Sequence, residues 1–189
     1  MMNDKVTMYL PLNIQKSGGD KEMNLTKLFE AQKVFIDKME YADKDCFEEL
    51  ILGLFVKLGK CANEWQGFKF WNENQMPNNK ISGLDDKGNL IFKNPLLEEY
   101  VDGLAFAVRI GIVKEVENIT YSPFKNDSIV SQFVYINRVV TTIFTADKLD
   151  YWHYAYRHLI GLYLGLGAML GFTGEQIEKA YYVRMESND

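Results

Sequence analysis

The sequence contains few of the residues that build metal clusters, disulfides or nucleic-acid-binding surfaces. Its 189 residues include two cysteines, Cys46 and Cys61, and two histidines, His153 and His158. No Cys/His cluster has the spacing of a zinc site, and isolated cysteines predict no disulfide framework. The net charge of -5 gives no electrostatic reason to expect a nucleic-acid partner.

The sequence also lacks a signal peptide and any apolar run long enough to span a bilayer. No membrane partner is therefore predicted, and a reducing cytoplasm is the expected compartment. Hydrophobic residues make up 47% of the chain and aromatics 14%, which is typical of a globular protein. The length suits one domain that buries a sizeable core without disulfides or metals.

Apolar residues recur at three- and four-residue steps after residue 24, which is the spacing of amphipathic helices. Asp45 is a candidate cap, Asn94 followed by Pro95 is a typical helix start, and Thr173 to Gln176 forms a capping box. The pattern predicts helices from Leu25, from after Asp45 to about Glu64, from Pro95 to about Lys114, over about 127–146, over about 147–170, and after Thr173.

The organisation predicted from this pattern is an N-terminal arm over residues 1–24 followed by one all-α domain over residues 25–189. Residues 72–93 are rich in Asn, Gly and Asp, which indicates a loop or a short hairpin. Strands are expected only in the arm or in this segment. The fold class is therefore an all-α helical bundle.

Two helices carry polar side chains beside broad apolar faces. On the second helix, Lys57, Lys60 and Glu64 lie together, because residues three, four and seven apart share a face. On the third, one polar stripe interrupts a segment that is otherwise apolar nearly all round; it consists of Glu98, Glu99, Asp102 and Arg109. Such a helix is largely buried, so these carboxylates need partners. The alternative is an ordinary solvated strip.

Residues 51–64 and 68–71 resemble the first metal-binding helix of the dimeric dUTPases, and residues 94–104 resemble the second. That family belongs to the all-α NTP pyrophosphatases and binds Mg²⁺ with Glu-x-x-Glu on one helix and Glu-x-x-Asp on the next. Here Glu99 and Asp102 match the second pair, but Lys57 and Lys60 replace the first. An ammonium cannot ligate Mg²⁺, which requires oxygen donors. Ion pairs without a metal are expected instead.

The resemblance covers about residues 24–188 and implies a nucleotide site. Gln32 matches a glutamine of the uracil pocket, although a glutamine on an amphipathic helix is more often a surface residue. Phe70 and Trp71 could stack on a base while Lys69 contacts phosphate, although aromatics at this density are more often core. Arg184 and Asn188 match the basic, Asn-containing tail that closes over the phosphates.

Three positions depart from the family pattern. Ile36 stands where a polar residue is expected, Ala105 where a histidine is common, and Met185 where an asparagine is expected. Together with the lysine pair, these changes fall on the base-binding helix, the metal site and the phosphate tail. Changes at separate functional points argue for relaxed or redirected function.

The leading hypothesis is a dUTPase-like homologue with a dismantled Mg²⁺ site, which is not expected to hydrolyse dUTP and needs no cofactor. It would form a homodimer and bind a dUMP- or dUTP-like nucleotide or a regulatory protein. One alternative is an active dUTP/dUDP pyrophosphatase that holds Mg²⁺ with Glu64, Glu98, Glu99 and Asp102. Another is a purely structural dimer subunit. Because the family is common in phages and bacteria, such an origin is expected.

Overall fold

Six α-helices and one β-hairpin form the described part of the chain in a computed structural model, which covers residues 23–38, 46–78, 80–84, 90–116, 120–146 and 149–187. The elements in order are α1 (Leu25–Asp37), α2 (Phe47–Trp65), β1 (Lys80–Leu84), β2 (Leu90–Lys93), α3 (Pro95–Val113), α4 (Ile129–Phe144), α5 (Leu149–Met169) and α6 (Gly174–Glu186). The all-α prediction is confirmed. Both strands lie inside the 72–93 segment, whereas the predicted arm is outside the described residues except for residues 23–24.

Side-chain caps begin at least four of the described helices, and two of them, at Asn94 and Thr173, were predicted. The Asn94 side chain accepts a hydrogen bond from the Leu97 N–H at 3.0 Å, and Pro95 follows as the first helical residue. The capping box between Thr173 and Gln176 is present in full. The prediction for α2 was wrong by one residue, since Cys46 occupies its N-cap position and makes no side-chain cap. Asp45 lies outside the described residues.

The hairpin is antiparallel and irregular. Lys80 pairs with Lys93 and Leu84 with Leu90, and the register shifts between Ile81 and Gly83. Such a bulge twists a two-stranded ribbon and disturbs its ladder locally. The hairpin thus connects α2 to α3 without adding a layer to the bundle.

Helix α3 is the centre of the bundle, because α2, α5, α6 and α1 all pack on it. Two buried tyrosines connect it to α5 reciprocally: the Tyr100 hydroxyl donates to the Tyr163 carbonyl, and the Tyr163 hydroxyl donates to the Tyr100 carbonyl, both at 3.1 Å. Gly103 lets the Tyr163 hydroxyl approach, since a Cβ there would overlap it. The reciprocal pair satisfies both hydroxyls inside an apolar core.

A segment without helix, residues 120–128, crosses α5 before α4 begins. The Phe124 N–H donates to the Gly161 carbonyl at 2.8 Å. The buried Gln132 amide donates to the carbonyls of Phe124 and Leu162 at 2.7 and 2.6 Å, and its oxygen accepts from the Asn126 backbone N–H at 2.7 Å. One buried side chain therefore pairs two backbone groups of this segment, the Phe124 carbonyl and the Asn126 N–H.

Candidate functional site

An ion-pair cluster lies where α2 faces α3. The ammonium of Lys57 contacts Glu99 Oε2 at 3.2 Å and also Asp102 Oδ2. Glu99 and Asp102 share a face because they are three residues apart on α3. The three side chains are between 18% and 24% exposed, so the pairs are partly shielded from solvent. The predicted ammonium–carboxylate contact is confirmed for Lys57.

Helix α6 contributes a second cation, Arg184, which the family resemblance predicts to contact the phosphates. Arg184 Nε contacts the other oxygen of Asp102, Oδ1, at 2.7 Å. Asp102 therefore lies between an ammonium from α2 and a guanidinium from α6. Arg184 is 82 positions from Asp102, and helical periodicity relates only positions within one helix. No local sequence signal could have found this contact.

The cluster changes the proton affinity of the groups around it. Burial lowers the pKa of Lys57, but hydrogen bonds and charge from Asp102 and Glu99 outweigh burial and raise that pKa overall. Burial, with the charges of Glu99 and Glu64, raises the pKa of the Cys61 thiol to about 12. Lys57 therefore remains an ammonium and Cys61 remains a thiol at neutral pH.

Lys60 and Arg109 were expected beside the carboxylates of α3, but both lie elsewhere. Lys60 is exposed and forms no ion pair with the described residues. Although Lys60 lies only three residues from Lys57, its position is exposed while that of Lys57 is half-buried, because the rotation of α2 against α3 turns Lys57 toward the carboxylates. Arg109 lies two turns beyond Asp102, where its guanidinium donates to Cys46 Sγ at 3.7 Å.

Glu64 and Glu98 do not join the carboxylate pair. Glu64 Oε2 accepts from Asn78 Nδ2 at 2.9 Å, and the Glu64 carbonyl accepts from the Asn78 backbone N–H at 3.1 Å. Gln66 Nε2 donates to Asn78 Oδ1 at 2.7 Å and to the Met76 carbonyl at 2.8 Å. These bonds tie both ends of the 66–78 loop together. Glu98 is exposed in the first turn of α3.

The 66–78 loop presents aromatic side chains to solvent. Phe70 is 85% exposed and Trp71 is 61% exposed, with ring centroids 5.0 Å apart and planes nearly perpendicular. Phe68 packs edge-on against Trp71 at 5.9 Å, and Lys69 Nζ lies 5.8 Å from the Phe68 centroid. The alternative that these aromatics are core is wrong for Phe70 and Trp71.

Gln32 is a residue of α1 that lies in the core, facing α6, with 2% of its surface exposed. Its Oε1 accepts a hydrogen bond from the Tyr181 hydroxyl at 2.6 Å. The alternative of a surface glutamine is therefore wrong, but the amide oxygen already has a protein partner. Ile36 and Ala105 are both half-buried, and Asn188 lies outside the described residues.

The donor set around Glu99 and Asp102 does not fit Mg²⁺. That ion requires close oxygen ligands in near-octahedral geometry, whereas Lys57 and Arg184 already contact three of the four carboxylate oxygens. Within the described ranges, no group of three or more His, Cys, Asp or Glu side chains is placed to hold a metal. The cluster contains two carboxylates and two cations, and it balances its own charge.

Comparison with known proteins identifies the family. A sequence model described as dUTPase, of the all-α NTP pyrophosphatase type, matches residues 24–189. No curated protein sequence matches the chain. Within the described residues, none of the helices combines the length and the apolarity needed to cross a bilayer.

Proposed function

Because the chain belongs to the all-α dUTPase family, we propose that it is a non-hydrolytic member in which ion pairs replace the Mg²⁺ site and a binding function remains. The contact of Lys57 with both Glu99 and Asp102 carries this proposal. In metal-dependent hydrolysis the metal polarises the phosphates and generates the attacking hydroxide. A chain whose carboxylates are paired with its own cations supplies neither the polarisation of the phosphates nor the attacking hydroxide.

The ligand that we propose is a nucleotide, bound without metal through the aromatic loop. Phe70 and Trp71 offer π-faces on a loop that Gln66 and Asn78 hold in place. Base–aromatic stacking contributes about 1–3 kcal/mol per base. Lys69 supplies a cation beside these rings, and the loop begins nine residues after Lys57, roughly 13 Å along the direction of α2.

Hydrolysis tests the first part of the proposal. Purified protein is incubated with dUTP and Mg²⁺ or Mn²⁺, and pyrophosphate release is measured beside Asp102→Asn. We expect no release above that of the variant. Release that scales with protein concentration, persists through repurification and disappears in Asp102→Asn would establish an active pyrophosphatase instead.

Binding tests the second part. Isothermal titration calorimetry with dUMP and dUTP in EDTA should show saturable binding, which Trp71→Ala and Phe70→Ala should each weaken by about fivefold or more, given the stacking energy above. Phe144→Ala is the matched control, because Phe144 is also exposed (48%) but lies on α4. Equal weakening in the control, or no binding by the wild-type protein, would exclude a nucleotide module and favour a protein partner or a structural role.

We further infer that the protein forms a homodimer. The family is usually oligomeric, and Leu52 and Val56 share one face of α2 while remaining 64% and 48% exposed. Adjacent exposed apolar residues on a helix face favour a protein interface. Light scattering should give twice the 21.9 kDa chain mass, and Leu52→Glu with Val56→Glu should give the chain mass. A monomeric wild-type protein would refute this inference.

A further inference from the structure

His158 on α5 packs against two aromatic rings. Its ring is stacked on Tyr154, with centroids 5.9 Å apart and planes 13° apart, and Phe124 lies at the same centroid distance with planes 32° apart. Nε2 of His158 is buried and has no hydrogen-bond partner among the described residues. A buried polar nitrogen without a partner is costly, and a charged one is more so.

Phe124 belongs to the 120–128 segment, which α5 holds closely at this point. A Cβ at Gly161 would lie 2.8 Å from the Ser122 carbonyl oxygen, so the segment lies directly on the helix backbone. The same segment reaches α1: the Tyr121 hydroxyl donates to the Met23 carbonyl at 2.8 Å and accepts from the Leu25 N–H at 3.3 Å. The position of the segment thus affects the start of the helix that carries Gln32.

Among the described residues, no charged group raises the pKa of His158. Burial alone lowers the pKa of His158. None of the charged groups on the surrounding elements is a cause of that shift, namely Arg157 on α5, Lys125 and Asp127 beside Phe124, Arg138 on α4, and Glu98, Glu99, Asp102 and Arg109 on α3. Attraction of an imidazolium to an aromatic ring is weak here, because 5.9 Å is near the limit of about 6 Å for such contacts.

We propose that His158 makes the attachment of the 120–128 segment sensitive to pH, so that protonation releases Phe124 from α5 and loosens the start of α1. Neutral His158 packs against Tyr154 and Phe124 with its Nε2 buried. An imidazolium carries a proton on both nitrogens, so its buried Nε2–H gains by reaching water, and the Phe124 ring packs against the imidazole from the side of the segment. Opening the segment is the local way to hydrate it.

The direction of the pH dependence follows from linkage. The open state has the ordinary pKa, near 6.5, and the closed state has a lower one. The open state therefore binds the proton first as pH falls. The closed segment has its full stability above about pH 6.5 and loses stability as pH falls from there toward the lower pKa of the closed state.

Hydrogen exchange measures the opening. Protection factors, corrected for the intrinsic pH dependence of exchange, are compared at pH 7.5 and 5.5 for the amides of Phe124 and Asn126, with Leu104 in α3 as reference. We expect protection of the two segment amides to fall at pH 5.5 by up to about tenfold, because that pH lies one unit below the ordinary pKa of the open state. Protection of the Leu104 amide should change less.

Two variants and one control decide the assignment. His158→Phe and His158→Gln cannot be protonated in this range and should keep equal protection at both pH values. His158→Gln replaces His158→Phe in the comparison if the phenylalanine packs poorly. His153→Gln, which changes the other histidine of the chain, should behave as wild type. An NMR titration giving His158 a pKa at or above 6.5, or pH-independent protection in the wild-type protein, would overturn the proposal.

Discussion

Asp102 is the residue on which the ion-pair cluster depends most, because among the described ion pairs it is the carboxylate that contacts cations from two other helices. Lys57 reaches one of its oxygens and Arg184 the other. Among the described ion pairs, Glu99 contacts only Lys57. Removing Asp102 should therefore destabilise the protein more than removing Glu99.

The first prediction concerns the cost of losing Asp102. Asp102→Ala should lower the free energy of unfolding by about 1–3 kcal/mol, since it leaves two partly buried cations without this partner. Urea denaturation measures the change. Glu98→Ala is the control on the same helix; it is exposed and should cost less than about 1 kcal/mol, the usual contribution of an acid in a first turn. Equal losses in the two variants would contradict the role of the cluster.

The two cysteines should differ sharply in reactivity. Cys61 is fully buried with a raised pKa, whereas Cys46 is half-buried. Because the thiolate is the reactive form, Ellman's reagent at pH 8 should detect one thiol per native chain and two after denaturation. Cys46→Ser should then lose the native signal. A Cys46→Ser variant that still reacts at once would show that Cys61 is accessible.

At the scale of elements, close helix contacts depend on glycine at defined positions. On α3, a Cβ at Gly103 would overlap the Tyr163 hydroxyl, which cannot move without breaking its bond to the Tyr100 carbonyl. On α2, a Cβ at Gly59 would meet no atom within 4 Å. The two helical glycines thus form a matched pair for testing what the helix packing requires.

Gly103→Ala should destabilise the protein by about 1–3 kcal/mol, as expected for overpacking. Gly59→Ala should stabilise it by about 0.5–1 kcal/mol, because alanine loses less backbone freedom in a helix. Thermal unfolding of the two variants beside the wild-type protein measures both effects. Stabilisation by both substitutions would mean that α3 and α5 are not closely packed at Gly103.

The elements were predictable from sequence where a local signal specified them. Asn94 with Pro95 and the capping box at Thr173 mark two helix starts correctly, because capping involves residues three or four apart. The α2 start was displaced because Cys46 makes no side-chain cap that could be recognised. The hairpin could be placed only as a turn-rich segment, since strand pairing depends on register rather than on composition.

The cluster was predictable only in part, for the same reason. Helical spacing placed Glu99 beside Asp102, and the family pattern placed Lys57 opposite them. Neither could decide between Lys57 and Lys60, because that depends on the rotation of α2 against α3. Arg184 and the Tyr181 partner of Gln32 come from α6, and no periodic pattern connects helices so distant in the sequence.

At the scale of the whole molecule, stability should be independent of divalent metal in the wild-type protein and dependent on it in one variant. The wild-type melting temperature should be the same in EDTA and in Mg²⁺. Lys57→Glu places a third carboxylate beside Glu99 and Asp102, so it should be less stable in EDTA and recover in Mg²⁺. Mass action gives about 2.7 kcal/mol of recovery when the ion is at a hundred times its Kd.

Lys60→Glu is the control, because Lys60 is exposed and outside the cluster. It should remove the same positive charge without creating any response to Mg²⁺. Calorimetric titration with Mg²⁺ provides the second measurement. A Lys57→Glu variant that ignores the ion would show that α2 and α3 do not present these side chains to each other.

The place of α6 in the chain also affects the order in which this protein can assemble on the ribosome. Asp102 follows Lys57 by 45 positions but precedes Arg184 by 82, and Gln32 precedes its Tyr181 partner by 149. The first ion pair can therefore form while the later helices are still being synthesised. Contacts of such long separation form slowly, so α1 has only α3 and Tyr121 of the 120–128 segment to pack against until α6 emerges and packs on both helices.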